Sequence, residues 1–234
     1  QDGKYVTSRN LRERLFKEMR KDKDDSVLSK NLRKLGIAYI GTIHSFCFRL
    51  LKENPVEGEI DPDVKILEEY RANAWLKDSI EETVLSCLEN EMVFQLTAEM
   101  GFSKLVRELF STMKAMQNQG VVPSIIERMA ASDEEKTIAI LICQAFKRYQ
   151  HKKEEQLFLD YEDILQKTYS MLEKNREILQ DYREKFKFIM VDEYQDLNFI
   201  QDRILRLLGE GTNLFVVGDK KQSIFGFRGA RVEL

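Results

Sequence analysis

Residues 186–217 (FKFIMVDEYQDLNFIQDRILRLLGEGTNLFVV) decide the fold, because they show the order strand, helix, strand. Two short apolar runs, Phe186–Val191 and Asn213–Val217, each end in a polar turn, which is typical of parallel strands that are covered on both faces. Between them, Asn198–Gly209 carries leucine and isoleucine at helical spacing, and the glycines at its end are expected to close the helix. This unit predicts an α/β fold with a parallel sheet.

A third apolar run, Ile37–Thr42 (IAYIGT), predicts a further strand of the same sheet. Between it and Phe186, apolar residues recur at helical spacing and there is almost no strand signal. We therefore expect a partial parallel sheet with a large all-helical inserted subdomain. Residues 1–54 and 159–234 would form the sheet domain, and residues 55–158 would form the insert.

Three helix-start signals lie in this region. Asp61-Pro62-Asp63 has an acidic residue followed by proline, which is typical of the first turn of a helix. Ser132 with Glu135, and Asp160 with Asp163, have the spacing of a capping box ahead of apolar periodic segments. We expect a helix to begin at each of these places.

The composition is that of a globular protein. Of the 234 residues, 43% are hydrophobic and 33% are charged, and the formal net charge is −3, which is not typical of a disordered chain. No apolar run reaches the roughly 18 residues that a membrane span needs, so we expect no membrane partner. The cysteines Cys47, Cys87 and Cys143 lack the C-x-x-C spacing of metal sites, and we expect reduced thiols in a cytoplasmic protein.

Two carboxylates follow an apolar run directly in Phe188–Asp196 (FIMVDEYQD). Ligands of open α/β sheets bind at the carboxyl ends of strands, so we expect Asp192 and Glu193 to lie at a binding site. One carboxylate there could hold Mg²⁺, and the other could orient and deprotonate a water that attacks a phosphate. The alternative is a polar strand end whose aspartate caps the next helix.

The stretch Gly218–Ala230 (GDKKQSIFGFRGA) combines aromatic rings with cations. Its Gln222 could hydrogen-bond a phosphate oxygen. Phe225 and Phe227 beside Arg228 are what single-stranded nucleic acid uses, because bases stack on rings at roughly 1–3 kcal/mol each while cations neutralise phosphates. Alternatively, both rings belong to the core, and the residues alone leave both interpretations open.

A strand-to-helix turn, Gly41–Leu51 (GTIHSFCFRLL), is the third stretch with polar side chains at a strand end. From this turn, Thr42, His44 and Ser45 could donate hydrogen bonds to a phosphate. A single histidine in such a place is more often a structural hydrogen-bonding residue, and this alternative stays open.

Together, TIHSFC (42–47), VDEYQD (191–196) and GDKKQSIFGFRGA (218–230) resemble, in this order, three motifs of the UvrD/Rep-type superfamily-one DNA helicases. The first motif is similar to that of the AddA/RecB branch, whose members are recombination nuclease-helicases. DYEDIL (160–165) resembles the family's helix that leads from the insert back into the motor domain. The resemblance implies a RecA-like first motor domain of the P-loop NTPase type with a helical insert.

The resemblance also implies roles for the residues at the nucleotide. Asp192 would hold Mg²⁺, Glu193 would be the catalytic base, and Gln222 would contact the γ-phosphate of ATP. Gln195 would belong to the network that couples the nucleotide to DNA. The implied activity is that of an ATP-dependent DNA helicase, which couples hydrolysis to movement on single-stranded DNA in repair or recombination.

On the DNA side, the family's aromatic residue before Arg-Gly-Ala stacks on a base. That residue would be Phe227 here, with Phe225 at the neighbouring aromatic position and Arg228 beside it. The residues along the single-strand path would be Thr42, His44 and Ser45. The implied partners are single-stranded or tailed DNA, a second motor domain of the same protein, and a nuclease domain or partner subunit.

The family's phosphate loop, G-x-x-x-x-G-K-[ST], has no match in the chain, since Gly3-Lys4 is followed by Tyr5. We therefore expect that this chain alone binds ATP weakly or not at all and does not unwind DNA. Two other functions stay open: a non-catalytic relative that binds single-stranded DNA, and a helical module that recruits a protein partner. The presence of both Asp192 and Glu193 favours catalysis over the non-catalytic relative.

Overall fold

The computed structural model describes residues 38–119, 121 and 130–219, together with the single positions 13, 17, 125 and 128. The main helices are α1 Ile43–Glu53, α2 Glu69–Ser86, α3 Glu91–Met100, α4 Phe102–Gln119, α5 Asp133–Glu155, α6 Tyr161–Lys174, α7 Arg176–Lys185 and α8 Phe199–Gly209. The strands are β1 Lys65–Ile66, β2 Phe158–Leu159, β3 Phe188–Val191 and β4 Asn213–Val216. Within these residues the protein is mostly helical, with two small parallel sheets of two strands each.

The predicted strand–helix–strand unit is confirmed. β3 and β4 pair in parallel, from Phe188 opposite Asn213 to Val191 opposite Val216, and α8 connects them. After α8, Gly211 has a φ of 78°, a left-handed conformation that glycine adopts without a steric penalty. The unit therefore brings the carboxyl ends of two strands to one edge of the sheet.

Capping boxes begin two helices as predicted. Ser132 and Glu135 bond each other's backbone N–H groups at the start of α5, and Asp160 and Asp163 do the same at the start of α6. Each box satisfies N–H donors that have no partner within the helix. The two helices are thus fixed at the residues that the sequence pattern indicates.

The predicted helix start at Asp61 is wrong. Its Oδ1 accepts a hydrogen bond from the N–H of Asp63 (2.7 Å), and its carbonyl accepts one from the N–H of Val64 (3.0 Å). Aspartate can close a turn in this way by bonding backbone two residues on. The segment is therefore a turn that leads into β1, and the next helix begins at Glu69.

The predicted strand Ile37–Thr42 is wrong over the part of it that the structure describes. The N–H of Ile40 donates to the carbonyl of Ala38 (3.1 Å), which is a local turn bond. Tyr39 packs edge-on against Phe186, with ring centroids 4.9 Å apart. Side-chain packing against the segment before β3 therefore holds this stretch without a sheet ladder.

A short strand pair makes the all-helical prediction for residues 55–158 wrong in one detail. Lys65 and Ile66 of β1 pair in parallel with Phe158 and Leu159 of β2. Two-residue strands are too short to show the alternation that predicts a strand from sequence. Because of this pair, the chain enters and leaves its long helical segment at adjacent points.

One face of the β3–β4 sheet is open within the described residues, whereas the sequence predicts strands that are covered on both faces. Phe188 and Met190 of β3 are 71% and 78% exposed, and Phe215 of β4 is 62% exposed. On the other face, Ile189 packs against a hydrophobic core. Because every residue of the FIMV run is apolar, the sequence cannot distinguish a sheet covered on one face from one covered on both.

Two hydrophobic cores hold the helices together. The first is formed by α2, α3, α4 and α5 and includes Leu76 and Tyr149. The second is formed largely by α1, α6 and α8 and includes Leu50 and Ile204. Each fully buried side chain of this kind contributes roughly 1.5–3 kcal/mol. Because the first core is formed entirely by helices between β1 and β2, this helical segment has a core of its own.

No disulfide joins Cys47, Cys87 and Cys143, which all lie in the described part of the chain. Cys47 lies in the second core, where burial raises its pKa to about 12. A thiol with so high a pKa is unreactive at neutral pH. Among the helices of the described residues, none is both long and apolar enough to cross a membrane.

A buried ion cluster joins α5 to α6. The Nζ of Lys153 lies 2.7 Å from Oδ2 of Asp160 and 2.5 Å from Oδ2 of Asp163, and the Tyr149 hydroxyl donates to Asp160 (2.7 Å). Burial opposes ionisation of Asp160, but the charge of Lys153 and the hydrogen bonds from Lys153, the N–H of Asp163 and Tyr149 together outweigh burial and lower the pKa. Burial and the charge of Asp160 raise the pKa of Asp163 to about 6. One lysine, 1% exposed, thus faces two carboxylates at this junction.

Lys153→Met is expected to lower the free energy of unfolding by about 3–5 kcal/mol, because it leaves buried carboxylates without their cation. Urea denaturation measures the change. The control is Lys152→Met at the next position, where the lysine pairs with Asp78 on the surface over 3.4 Å and a loss below about 1 kcal/mol is expected. Equal losses of stability in the two variants would show that the buried cluster contributes no more than the surface ion pair.

Candidate functional site

The carboxyl ends of β3 and β4 lie side by side, and their pairing continues beyond the strands. The N–H of Val217 donates to the carbonyl of Val191 (2.8 Å), and the N–H of Tyr194 donates to the carbonyl of Val217 (2.9 Å). The residues that follow β3 therefore face the residues that follow β4.

Glu193 turns the chain sharply with a left-handed backbone, with φ of 52° and ψ of 41°. A residue with a side chain adopts this conformation at a cost of about 1–3 kcal/mol, and it persists only where the surroundings hold it. Here the N–H of Glu193 donates to Oδ1 of Asp192 (2.9 Å), and its carbonyl accepts from the N–H of Asp196 (2.9 Å). The turn leaves Asp192 and Glu193 exposed at the strand end.

Gln195 bridges the two strand ends through its side-chain amide. The Nε2 donates to Oε2 of Glu193 (2.7 Å), and the Oε1 accepts from the N–H of Asp219 (3.0 Å). Gly218 lies against this amide, since a β-carbon there would be 2.7 Å from Oε1 of Gln195. The amide therefore joins a carboxylate after β3 to the backbone after β4.

The interpretation of Asp192 as the cap of the next helix is wrong. Asn198 caps α8, and Gln201 completes the capping box. The helix therefore begins without help from the strand-end carboxylates, which remain at the edge of the sheet.

The strand-end carboxylates fit a magnesium ion that is bound together with phosphates. Mg²⁺ is usually held by one or two carboxylates, with water and substrate phosphates completing its ligands. In the part of the chain that the structure describes, no group of three or more His, Cys, Asp or Glu side chains is arranged to hold a metal ion. Asp192, exposed at the strand end, is suited to supply a single carboxylate ligand.

A second group of polar residues begins α1. Thr42 is the N-cap: its Oγ1 accepts from the N–H of Ser45 (3.3 Å), and the Ser45 hydroxyl donates to the Thr42 carbonyl (2.8 Å). His44 lies against the ring of Tyr161, with centroids 4.7 Å apart. Burial lowers the pKa of His44, and the charge of Glu69 opposes this in part. At neutral pH the imidazole is therefore uncharged, while the two hydroxyls are exposed.

Residues 6–234 match the family model of the UvrD/REP helicase N-terminal domain. The chain belongs to this family. The match runs through both strand ends and through the start of α1, so it includes each group of residues described above.

Two relatives are longer than the chain, which is similar to part of each. It is 28% identical over 198 residues to the ATP-dependent DNA helicase PcrA of Staphylococcus aureus (strain Mu50 / ATCC 700699), an alignment that covers 84% of the chain and 25% of PcrA. It is 44% identical over 98 residues to an ATP-dependent helicase/nuclease subunit of Lactococcus lactis subsp. cremoris (strain SK11), which covers 42% of the chain and 8% of that relative. The chain thus spans a quarter of the length of PcrA.

The structure brings together some of the residues that the UvrD/Rep motifs single out. Those that follow β3 and face the end of β4 are Asp192, Glu193 and Gln195. Those at the start of α1 are Thr42, His44 and Ser45. Those that lie outside the described residues are Gln222, Phe225, Phe227 and Arg228. The roles of this last set stay predictions.

The sequence did not single out Asp202, which supports the site from α8. The hydroxyl of Tyr194 donates to this carboxylate, and Nε of Arg206 donates to its other oxygen (2.7 Å). An acidic residue in the first turn of a helix is favoured by the helix dipole. Asp202 therefore has an ordinary explanation in the sequence, and only its burial and its partner in the structure distinguish it.

Gly218→Ala is expected to lower the free energy of unfolding by about 1–3 kcal/mol, because the methyl group would overlap the Gln195 amide. The loss should be smaller in a Gln195→Ala background, since the nearest atom is then gone. Chemical denaturation of the four proteins gives the coupling. Val216→Ala, at an exposed neighbour, is the control and should change stability by less than about 0.5 kcal/mol. Identical losses of stability in both backgrounds would show that the added methyl group does not meet the Gln195 side chain.

Proposed function

We propose that this chain forms one wall of the nucleotide site of an ATP-dependent DNA helicase. The observation that carries the proposal is the Gln195 bridge, which joins Glu193 after β3 to the backbone of Asp219 after β4. Ligands of open α/β sheets bind at the carboxyl ends of strands. Membership of the UvrD/REP family supports ATP as that ligand.

The two carboxylates would divide the chemistry of hydrolysis. Asp192 would hold Mg²⁺, which would neutralise charge on the phosphates. Glu193 would orient and deprotonate the attacking water, a role in which a general base typically contributes about 10²–10⁴-fold. Gln195 donates a hydrogen bond to Oε2 of Glu193, which would leave the other carboxylate oxygen to accept the proton of the water.

Gln195 would also transmit the state of the nucleotide. Its Oε1 bonds the N–H of Asp219, which precedes the stretch that contains Gln222. We expect Gln222 to contact the γ-phosphate. A shift of Glu193 on hydrolysis would then reach the backbone of this stretch through one side chain.

Single-stranded DNA would bind along two groups of residues. Phe225 and Phe227 would stack on bases, and Arg228 would neutralise a phosphate. The hydroxyls of Thr42 and Ser45 are exposed at the beginning of α1 and would contact the backbone together with the neutral His44. Because the net charge of the chain is −3, we expect modest affinity.

The longer protein would be the helicase half of a helicase-nuclease that acts in repair or recombination in the cytoplasm. The 44% identity to a helicase/nuclease subunit supports this branch. Residues 1–54 and 159–234 would belong to a RecA-like motor domain, and residues 55–158 would be its insert. The phosphate loop and a second motor domain would come from the rest of that protein, and this chain alone would not hydrolyse ATP.

In the full-length protein, Glu193→Gln is expected to lower the kcat of DNA-stimulated ATP hydrolysis by about 10²–10⁴-fold, because the amide cannot accept a proton from water. Nucleotide affinity should be retained, since the shape of the side chain is kept. A steady-state hydrolysis assay and a binding titration measure the two quantities.

The control for this substitution is Glu210→Gln, the same chemical change at a carboxylate that is 76% exposed. It should leave hydrolysis unchanged. If both variants hydrolyse ATP at the wild-type rate, Glu193 is not the base. Absence of hydrolysis by the unmodified full-length protein would instead favour the non-catalytic DNA-binding alternative.

Binding of this chain to a fluorescent oligothymidylate is expected to weaken at least about 10-fold between 50 and 200 mM salt, because counterions are released from the phosphates. Phe227→Ala should weaken it by a further factor of about 10 through loss of stacking. Phe94→Ala, at a phenylalanine of α3 that is 60% exposed, is the control. Anisotropy titrations measure all three affinities, and an affinity that salt does not change would contradict binding through the DNA phosphates.

A further inference from the structure

Asp202 is a buried carboxylate that connects α8 to the turn that carries Glu193. The residue is 2% exposed. Its Oδ1 accepts from the hydroxyl of Tyr194, and its Oδ2 accepts from Nε of Arg206 (2.7 Å). Tyr194 follows Glu193 directly and is the first residue of a single 3₁₀ turn, Tyr194–Asp196.

The helix dipole favours an acidic residue in the first turn of α8, but this effect does not require the carboxylate to be buried. Asn198 and Gln201 already cap the helix. The side chain of Arg206 is 56% exposed, so the ion pair lies at the solvent edge, where such pairs contribute little. Burying a carboxylate is unfavourable, and apolar replacements of buried charged groups are often no less stable. The hydrogen bond to Tyr194 is therefore the feature that distinguishes Asp202.

Tyr194 is fixed at two points, and this hydrogen bond is the second of them. The first is the backbone, where the N–H of Tyr194 donates to the carbonyl of Val217 (2.9 Å). The second is the hydroxyl on Asp202, and burial together with this bond raises the pKa of the tyrosine. A residue fixed at both its backbone and the end of its side chain restricts the peptide that precedes it. That peptide follows Glu193, whose left-handed conformation needs such support.

We propose that Asp202 is a positioning residue, which acts through the Tyr194 hydroxyl to hold Glu193 in the orientation that activates water. Asp202 itself would not touch the nucleotide. The inference rests on the proposed function, because it assigns Asp202 a part in the hydrolysis carried out by Glu193. Displacing a catalytic group by about 1 Å can lower turnover by about 100-fold.

The test compares four variants of the full-length protein in steady-state ATP hydrolysis: Tyr194→Phe, Asp202→Leu, the double variant, and Arg206→Gln. Tyr194→Phe and Asp202→Leu should each lower kcat by about 10-fold to 100-fold, with the KM for ATP changed less than about 2-fold. The double variant should be no slower than the slower single variant, because both remove one connection. Arg206→Gln should lower kcat less than Tyr194→Phe or Asp202→Leu does, since Arg206 also contacts the Tyr194 side chain but the bond between Tyr194 and Asp202 remains.

Each kcat is expressed per nucleotide-binding site, so that a loss of folded protein does not lower it. Tyr194→Phe keeps the aromatic ring and removes only the hydroxyl. If Asp202→Leu fails to fold, this variant alone tests whether the hydrogen bond positions Glu193. Wild-type kcat in Tyr194→Phe would overturn the inference, as would an equal loss in Arg206→Gln or losses that multiply in the double variant. Glu193→Gln is assayed in parallel: full activity there would overturn the proposed function itself, whereas its loss beside an active Tyr194→Phe would overturn the positioning role alone.

Discussion

The amide of Gln195 is the interaction on which the candidate site depends. It accepts the N–H of Asp219 from one strand end and donates to Glu193 at the other. Glu193 has a left-handed backbone, which a residue with a side chain keeps only when its neighbours hold it. Gly218 has no room for a β-carbon beside the same amide. The backbone bond from Tyr194 to Val217 already joins the two turns, and the Gln195 amide adds a connection that reaches the carboxylate of Glu193.

The helices support this edge of the sheet from one side. Ile204 and Leu208 of α8 pack with Ile164 of α6 in the second core, which also contains Leu50 of α1. The helical segment between β1 and β2 has a separate core, and the buried Lys153 cluster fixes its last helix to α6. The strand ends and the beginning of α1 are therefore held by one set of packed helices, while the long helical segment is joined to that set through α6 and the β1–β2 pair.

Local signals in the sequence were sufficient where one short segment decides the structure. The apolar runs around α8 and the boxes at Ser132 and Asp160 predicted strands and helix starts at the right places. The predicted helix start at Asp61 was wrong because the residue types that begin helices also close turns. For the site, adjacency in the chain placed Asp192 beside Glu193, but the contact of Gln195 with Asp219 depends on the sheet register. Asp202 was missed because its importance lies in burial, which an acidic residue on a helix does not show in the sequence.

The proposed function requires that the turns after β3 and β4 form one nucleotide-binding wall. Hydrogen–deuterium exchange of the full-length protein, with and without Mg²⁺ and a non-hydrolysable ATP analogue, tests it most directly. Binding should slow exchange at the amides of Tyr194 and Asp219 together, with little change in α3, which packs in the separate core. If calorimetry shows that the analogue binds while exchange at these two amides is unchanged, the nucleotide lies elsewhere. The two turns then do not form its binding wall.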